Sequence, residues 1–479
     1  MMRSTLLLIA LVLGTASISA QQASLPVESQ TIPKAALLRM YQAELGAAWK
    51  AELGEPLYSA HELTEKYFAT PKVAERAEIV KQIEALGVDA NHLGRIVRIR
   101  MHWPELKGGV YYINERVGPH EVIYFLGVPE AYDRTKPWPM VIKLPGMHAF
   151  VTDPPPSQEE VASLYRDWIK GELAAHPDAI VLMPLLNLNE LFGPSYKGLN
   201  SVMQPMHHAA GRVNVDPRRV YLWGHSMGGH AAWNFAIHYP TYFAAFTAMS
   251  SGMNAPFQRL RVPNLRNILP VVWHDADDQT VPVDVARSLV KQLRAGKFDV
   301  DYEETKKVGH APSDAIVARL YEKMRARVRD LCPREVVLSS NRPDTLFNRA
   351  DWVQVYQPLT AGPEDRVRMR RGTGVITVNR NPHDLTATIT GPNRITVKSA
   401  NVESMRFYFN DQLIDFSRPV TILVNTRPRF EGVLRPSIDE MLKDQVFLGR
   451  GWRYYTAWAE VDFGAPKPSA TQPHTLPSR

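Results

Sequence analysis

A strand-like run, Val220-Tyr221-Leu222-Trp223, passes without a break into Gly224-His225-Ser226-Met227-Gly228 and then into a helix-forming stretch that reaches His238. Nothing else in the 479 residues restricts the fold as strongly. A strand that turns straight into a helix through G-x-S-x-G holds its central serine in a strained backbone and packs the helix closely on the sheet. Both demands call for small neighbours. Gly228, Gly229, Ala231 and Ala232 supply them. Such a turn lifts the Ser226 hydroxyl above the sheet, at the N-terminus of a helix. The plainer alternative is a glycine-rich turn whose serine only caps the helix. The buried strand in front of the motif and the small residues behind it favour the first reading.

The surroundings alternate in the same way. Apolar runs short enough for strands buried on both faces occur at Met140–Leu144, Ala179–Pro184, Phe246–Met249 and Leu269–Trp273. Helical spacing fills the stretches between, around Ser157–Ala175 and Val283–Ala295. This predicts an α/β fold with a doubly wound, mostly parallel sheet over residues 106–332. Before it, residues 21–105 read as a helical N-terminal extension. Thr70-Pro71 starts one helix there and Gly87 stops it. After it, residues 333–463 alternate with period two between turn residues. They predict a C-terminal all-β, sandwich-like domain that packs independently, so that cutting near Arg334 leaves the α/β region and its Ser226 turn intact. Residues 464–479 are rich in Pro, Ser and Thr and read as a disordered tail.

A serine hydroxyl is a weak nucleophile until a base takes its proton. For this elbow the chain order is serine, then acid, then histidine. His230 and His238 lie on the elbow helix, and His274 ends a strand. His310, in Val308-Gly309-His310-Ala311-Pro312, stands free in a loop after the last strand and is the expected base. Between Ser226 and His310, the segment His274-Asp275-Ala276-Asp277-Asp278 offers three acids: Asp275, Asp277 and Asp278. Two donors are needed for the oxyanion of a tetrahedral intermediate. One is expected to be the backbone N–H of Met227. The other is expected from the loop Leu144-Pro145-Gly146-Met147-His148, from Met147 or its neighbour His148.

The order of strand, Pro-Gly loop, G-x-S-x-G, Asp and His resembles the α/β-hydrolase fold. The wording Val215-Asp216-Pro217-Arg218-Arg219-Val220-Tyr221 before the elbow narrows the resemblance, as do Tyr239-Pro240 and Phe243-Ala244-Ala245 after it. Over about residues 127–331 the chain is similar to secreted esterases of the polyhydroxybutyrate depolymerase and feruloyl esterase kind. It is similar also to the catalytic domain of prolyl oligopeptidase-type peptidases. These hydrolases usually read H-G-x-x-D-x-x-V-P at the acid. Placing Val281-Pro282 in that register implies Asp278. They usually carry His-Gly where this chain has Pro145-Gly146. The resemblance implies a serine hydrolase of carboxylic esters, small or polymeric, that uses no metal or organic cofactor. A peptidase and an inactive hydrolase scaffold that only binds are the alternatives. A peptidase of that type usually carries a β-propeller ahead of the catalytic domain, and the helical first part is too short for one.

The ends and the composition complete the reading. Arg3, the apolar run Leu6–Leu13 and the small residues up to Ala20 follow the order of a secretory signal peptide. They predict cleavage near Ala20 and a secreted or periplasmic mature protein with no membrane span. Hydrophobic residues make up 45% and charged residues 22%, which excludes wholesale disorder. The net charge of +7 comes without a dense basic run or nucleic-acid motif, so no nucleic-acid partner is expected. Cys332 is the only cysteine, which excludes an internal disulfide. Substrate contacts are expected on loops 185–200 and 250–265; Asn187, Asn189 and Tyr196 are polar candidates there, although solvated loop residues are the plainer reading of all three.

Overall fold

The structure, a computed structural model, describes residues 30–118, 120–146, 158–185, 195–253, 256–342, 347–358, 364–368, 375–379 and 382–462. The predicted signal segment, Met147, His148, Asn187, Asn189 and the predicted tail lie outside the described residues.

Four helices come first: α1 (Lys34–Leu45), α2 (Gly54–Ala69), α3 (Val73–Ala85) and α4 (Ala90–Ile96). Thr70 does not cap α3 directly. Its hydroxyl bonds the Glu75 carboxylate at 2.5 Å while the helix begins at Val73, and Gly87, at φ +65°, ends the turn that follows it. Asp89 caps α4 by accepting from the N–H groups of Asn91 and His92, both at 2.9 Å. Leu37, Tyr41, Leu57, Ile83 and Leu93 pack together as the core of this layer.

The next elements alternate strand and helix: β1 (Gly109–Val117), β2 (His120–Val128), β3 (Trp138–Leu144), α5 (Gln158–Ala175), β4 (Ile180–Pro184), α6 (Tyr196–Ala210), β5 (Val215–His225), α7 (Met227–His238), β6 (Ala245–Met249), α8 (Pro256–Arg259), β7 (Leu269–Asp275), α9 (Asp284–Ala295), β8 (Asp301–Thr305) and α10 (Asp314–Arg325). The eight strands form one sheet in the order β1-β2-β4-β3-β5-β6-β7-β8. β1 and β2 are antiparallel to their neighbours, and β4 to β8 with β3 run parallel. Period-two alternation sends β5 side chains to both faces. Val220 and Leu222 join Met206, Trp233 and Leu289 in one core, on the side of α6, α7 and α9. Tyr221 and Trp223 join Leu320 and Met324 of α10 in the other. Both faces are covered, so these strands read as apolar runs rather than as alternation.

Beyond α10, five strands (335–340, 383–391, 394–400, 420–424 and 427–432) form one sheet and four (349–350, 353–358, 402–409 and 457–462) another. Leu338, Leu385, Ile395 and Ile422 from the first meet Val353, Met405, Phe407 and Val461 from the second in a single core. This β region also contains a helix, α11 (Ile438–Leu448), capped by the Ser437 hydroxyl accepting from Glu440 N at 3.2 Å. Ile438, Met441 and Leu442 of α11 fill the core of the N-terminal helices.

The C-terminal sheets have a core of their own, and the region is also fastened to the hydrolase-like layer. Phe347 and Trp452 pack into the core of that layer, and buried charges add to the contact. Arg329 and Asp351 form a two-toothed ion pair at 2.7 and 2.8 Å, with side chains 0% and 2% exposed. Asp351 also lies 3.6 Å from Arg453, itself 1% exposed. Arg261 donates to Ser340 Oγ and to the Phe347 carbonyl, both at 2.7 Å. Cutting the chain near Arg334 would leave Arg329 and Arg261 without these acceptors. An uncompensated buried charge is costly, whatever the net worth of the intact pair. Asp351 sits at φ +43°, a region asparagine tolerates. Asp351→Asn therefore isolates the charge effect, and it is expected to lower unfolding free energy by about 3–5 kcal/mol. Urea unfolding of the two proteins checks it; a loss below about 1 kcal/mol would mean that the two arginines find other compensation.

Candidate active site

The elbow is built by close approach. A Cβ on Gly224 would lie 2.1 Å from the Gly228 carbonyl oxygen, and one on Gly228 would lie 1.8 Å from that of Leu144. A side chain on Gly224 would push α7 away from β5, and one on Gly228 would push it away from β3. Between them Ser226 takes φ 55° and ψ −120°, strain that only a surrounding frame can hold. The frame is a hydrogen bond from Ser226 N to Met249 O at 2.9 Å and one from His230 N to Ser226 O at 3.0 Å. Met227 is the first residue of α7, so its N–H has no acceptor within the helix. Gly146 lies alongside: a Cβ on it would be 3.6 Å from Ser226 Cβ. The loop expected to give the second oxyanion donor thus starts beside the serine, while Met147 itself lies outside the described residues.

His310 Nε2 lies 3.0 Å from Ser226 Oγ, and His310 Nδ1 lies 2.8 Å from Asp278 Oδ2. The three side chains come from the end of β5, the loop after β7 and the loop after β8. Asp278 is buried. Its Oδ1 accepts from Thr280 N at 2.8 Å and Val281 N at 3.0 Å. Burial pushes its carboxyl pKa up, but the bonds from His310 and the two backbone groups outweigh that and hold it below the usual carboxylate range. It therefore stays ionised, and the stability it contributes is present above its unfolded-state pKa and lost as the pH falls through the folded one.

The other candidates fall elsewhere. Asp275 is buried, and its Oδ2 accepts from Thr305 Oγ1 at 2.8 Å and Val308 N at 3.1 Å. Burial raises its pKa, and these bonds more than reverse the shift. Asp277 accepts from Lys307 N at 2.9 Å. Both acids fasten the loop that carries His310. His274 is buried on the far side of Asp278, with Nε2 donating to Val281 O at 2.9 Å and lying 3.3 Å from Asp278 Oδ2. His238 is buried at the C-terminal end of α7 and bonds Asn234 O. His230 bonds the Gly252 carbonyl through Nδ1. Burial pushes its pKa down, and the nearby His274 and His310 lower it further. Among the described residues, no group of three or more His, Cys, Asp or Glu side chains is placed to hold a metal ion.

The strand order, with β2 antiparallel at one side and the serine elbow after the central β5, defines the α/β-hydrolase fold. Within it, residues 206–301 match the sequence profile of the esterase family described as "Putative esterase". The chain is thus an α/β-hydrolase-fold protein similar to esterases. A comparison with curated proteins finds no match. Among solved structures, a thermostable esterase is 25% identical over 42% of this chain and 55% of that one, with a TM-score of 0.34. A ferulic acid esterase from Anaeromyces mucronatus is 15% identical over 46% of this chain and 90% of that one, with a TM-score of 0.35. Dipeptidyl peptidase 4 from Porphyromonas gingivalis is 14% identical over 47% of this chain and 36% of that one, with a TM-score of 0.36. The match spans about half the length of the thermostable esterase and about a third of the peptidase. The fold assignment rests on this chain's own strand order rather than on these scores.

Proposed function

We propose that the protein is a serine hydrolase that cleaves carboxylic esters through an acyl-enzyme. The observation that carries the reading is the unbroken chain of hydrogen bonds from Ser226 Oγ through the His310 ring to Asp278. Ser226 Oγ attacks the acyl carbon while its proton passes to His310 Nε2. The carbonyl π electrons move to oxygen, where the Met227 N–H and a donor from the loop after Gly146 stabilise the charge. Collapse of this intermediate expels the alcohol, which takes the proton from His310. Water then repeats the sequence on the acyl-enzyme, releasing the acid and restoring Ser226. Asp278 keeps the imidazole in the tautomer with Nδ1–H and stabilises its cationic form. Asp278 Oδ2 is an acceptor only, so the geometry suits this role.

Ester cleavage is preferred over amide cleavage because of the esterase profile across the elbow. The substrate is a small or polymeric ester without nucleic acid or membrane as partner, and residues 1–20 direct export, with cleavage near Ala20. The test is reaction of the purified protein with a fluorophosphonate probe, followed by a panel of short-chain aryl esters, feruloyl esters, acetylated sugars and dipeptide amides. Labelling of one serine and turnover of esters is the expected result. Labelling with turnover of amides alone makes the protein a peptidase, and no labelling at all makes it an inactive scaffold.

A further inference from the structure

His310 is held by more than its ring. Its backbone carbonyl oxygen accepts from His225 Nε2 at 2.8 Å and from Ser250 Oγ at 2.8 Å. A carbonyl oxygen only accepts, so His225 carries its proton on Nε2 and Ser250 points its hydroxyl at the same atom. The two donors fill both lone pairs of one oxygen. His225 is the last residue of β5, next to the nucleophile. Ser250 follows β6 directly, is fully buried, and takes φ +47°. Its own N–H bonds Trp273 O at 2.9 Å, one position from the Met249 carbonyl that holds Ser226. The strand ends that fix the nucleophile therefore also hold the base.

The loop shows why this hold matters. Asp275 and Asp277 fasten it at Lys307, Val308 and Gly309, through the backbone N–H groups of all three. Gly309 takes φ +84°, with open space where a side chain would be, and α10 begins only at Asp314. One residue further on, the His310 carbonyl oxygen takes two side-chain hydrogen bonds of its own, which fix the backbone at the base itself. A shift of about 1 Å at the imidazole is enough to lower a rate by about a hundredfold, since proton transfer needs Nε2 within hydrogen-bond reach of the serine.

We propose that His225 and Ser250 are positioning residues that clamp the His310 backbone and so set the register of the base on Ser226. The inference rests on the serine hydrolase reading. His225 is thus more than the variable residue of the G-x-S-x-G turn, and its ring, 4.9 Å from that of His310, acts through the backbone rather than through the proton relay.

The test compares His225→Phe, which keeps a ring and loses the donor, with His225→Gln, whose side-chain amide can replace Nε2–H, and with Ser250→Ala. Two readouts are taken: kcat and KM on an aryl ester, and the low-field proton resonance of His310 Nδ1–H bonded to Asp278. The expected result for His225→Phe and Ser250→Ala is a fall in kcat of about tenfold to a hundredfold with KM within about twofold. The low-field resonance should broaden or vanish in both while the thermal midpoint holds. His225→Gln should recover most of the rate and the resonance. Wild-type kcat and resonance in both donor-free variants, or a Gln variant as impaired as the Phe variant, would overturn the clamp. If His225→Phe does not fold, Ser250→Ala decides alone. A wild-type protein that keeps the resonance yet cleaves no ester overturns the hydrolase reading; the resonance in the variants then still decides the clamp.

Discussion

Ser226→Ala is expected to lower kcat/KM on an aryl ester by about 10⁵-fold or more and to leave the unfolding midpoint where it is. The size follows from what the hydroxyl supplies. Without Oγ there is no acyl-enzyme, and only oxyanion donors and substrate binding remain to accelerate attack by water. The unchanged stability follows from the backbone. Ser226 sits at φ 55°, and alanine keeps the same Cβ, so the turn is strained equally in both proteins. The bonds that hold the turn, from Ser226 N and to Ser226 O, are backbone bonds that the substitution does not touch. Titration with a fluorophosphonate probe and an ester assay on protein of matched thermal midpoint is the measurement. A variant with more than about a tenth of wild-type activity would place the nucleophile elsewhere.

Asp278→Asn is expected to cost about 10⁴-fold in kcat, and far more than the same change at Asp275 or Asp277. An asparagine amide turned towards His310 favours the imidazole tautomer with its proton on Nε2, which cannot accept from Ser226. At Asp275 and Asp277 the lost acceptors are those of backbone N–H and hydroxyl groups in the loop, at Val308, Thr305 and Lys307. Their loss loosens the loop without altering the tautomer. The three variants should thus separate by pattern as well as by size, with Asp278→Asn acting on kcat at an intact fold. A larger loss in Asp277→Asn would put the relay one residue earlier in the chain.

The elbow was legible in the sequence because its constraints are local. Gly224 and Gly228 are separated by four positions, and the contact that excludes a side chain on Gly224 is with Gly228 itself. The parallel sheet was legible for a similar reason, since strands covered on both faces must be apolar throughout. The acid was harder. Three aspartates fall within four positions, and what distinguishes them is which group, 30 to 33 residues onward, each one meets. The side chains of His225 and Ser250 bond a backbone carbonyl, an acceptor that leaves no mark on residue identity. Nothing local could reveal them. Nothing beside Arg329 and Arg261 in the sequence marks them for burial against Asp351, Ser340 and Phe347, because those partners lie 22 to 86 residues further on. Helix α11 is hidden in the sequence because it is a short interruption among strands, and its apolar face serves a core assembled from residues more than 300 positions earlier.

That last arrangement fixes an order of events during synthesis. Ile438, Met441 and Leu442 complete the core of α1 to α4, and Arg450 spans 385 positions to bond Glu65 and 353 to reach the Val97 carbonyl. Contacts of such separation form slowly, because a long loop must close before they return any stabilisation. The helices made first are thus the part of the molecule that finishes last. Until α11 and Arg450 have emerged, their apolar faces stay open to water and to any chaperone that binds such surfaces.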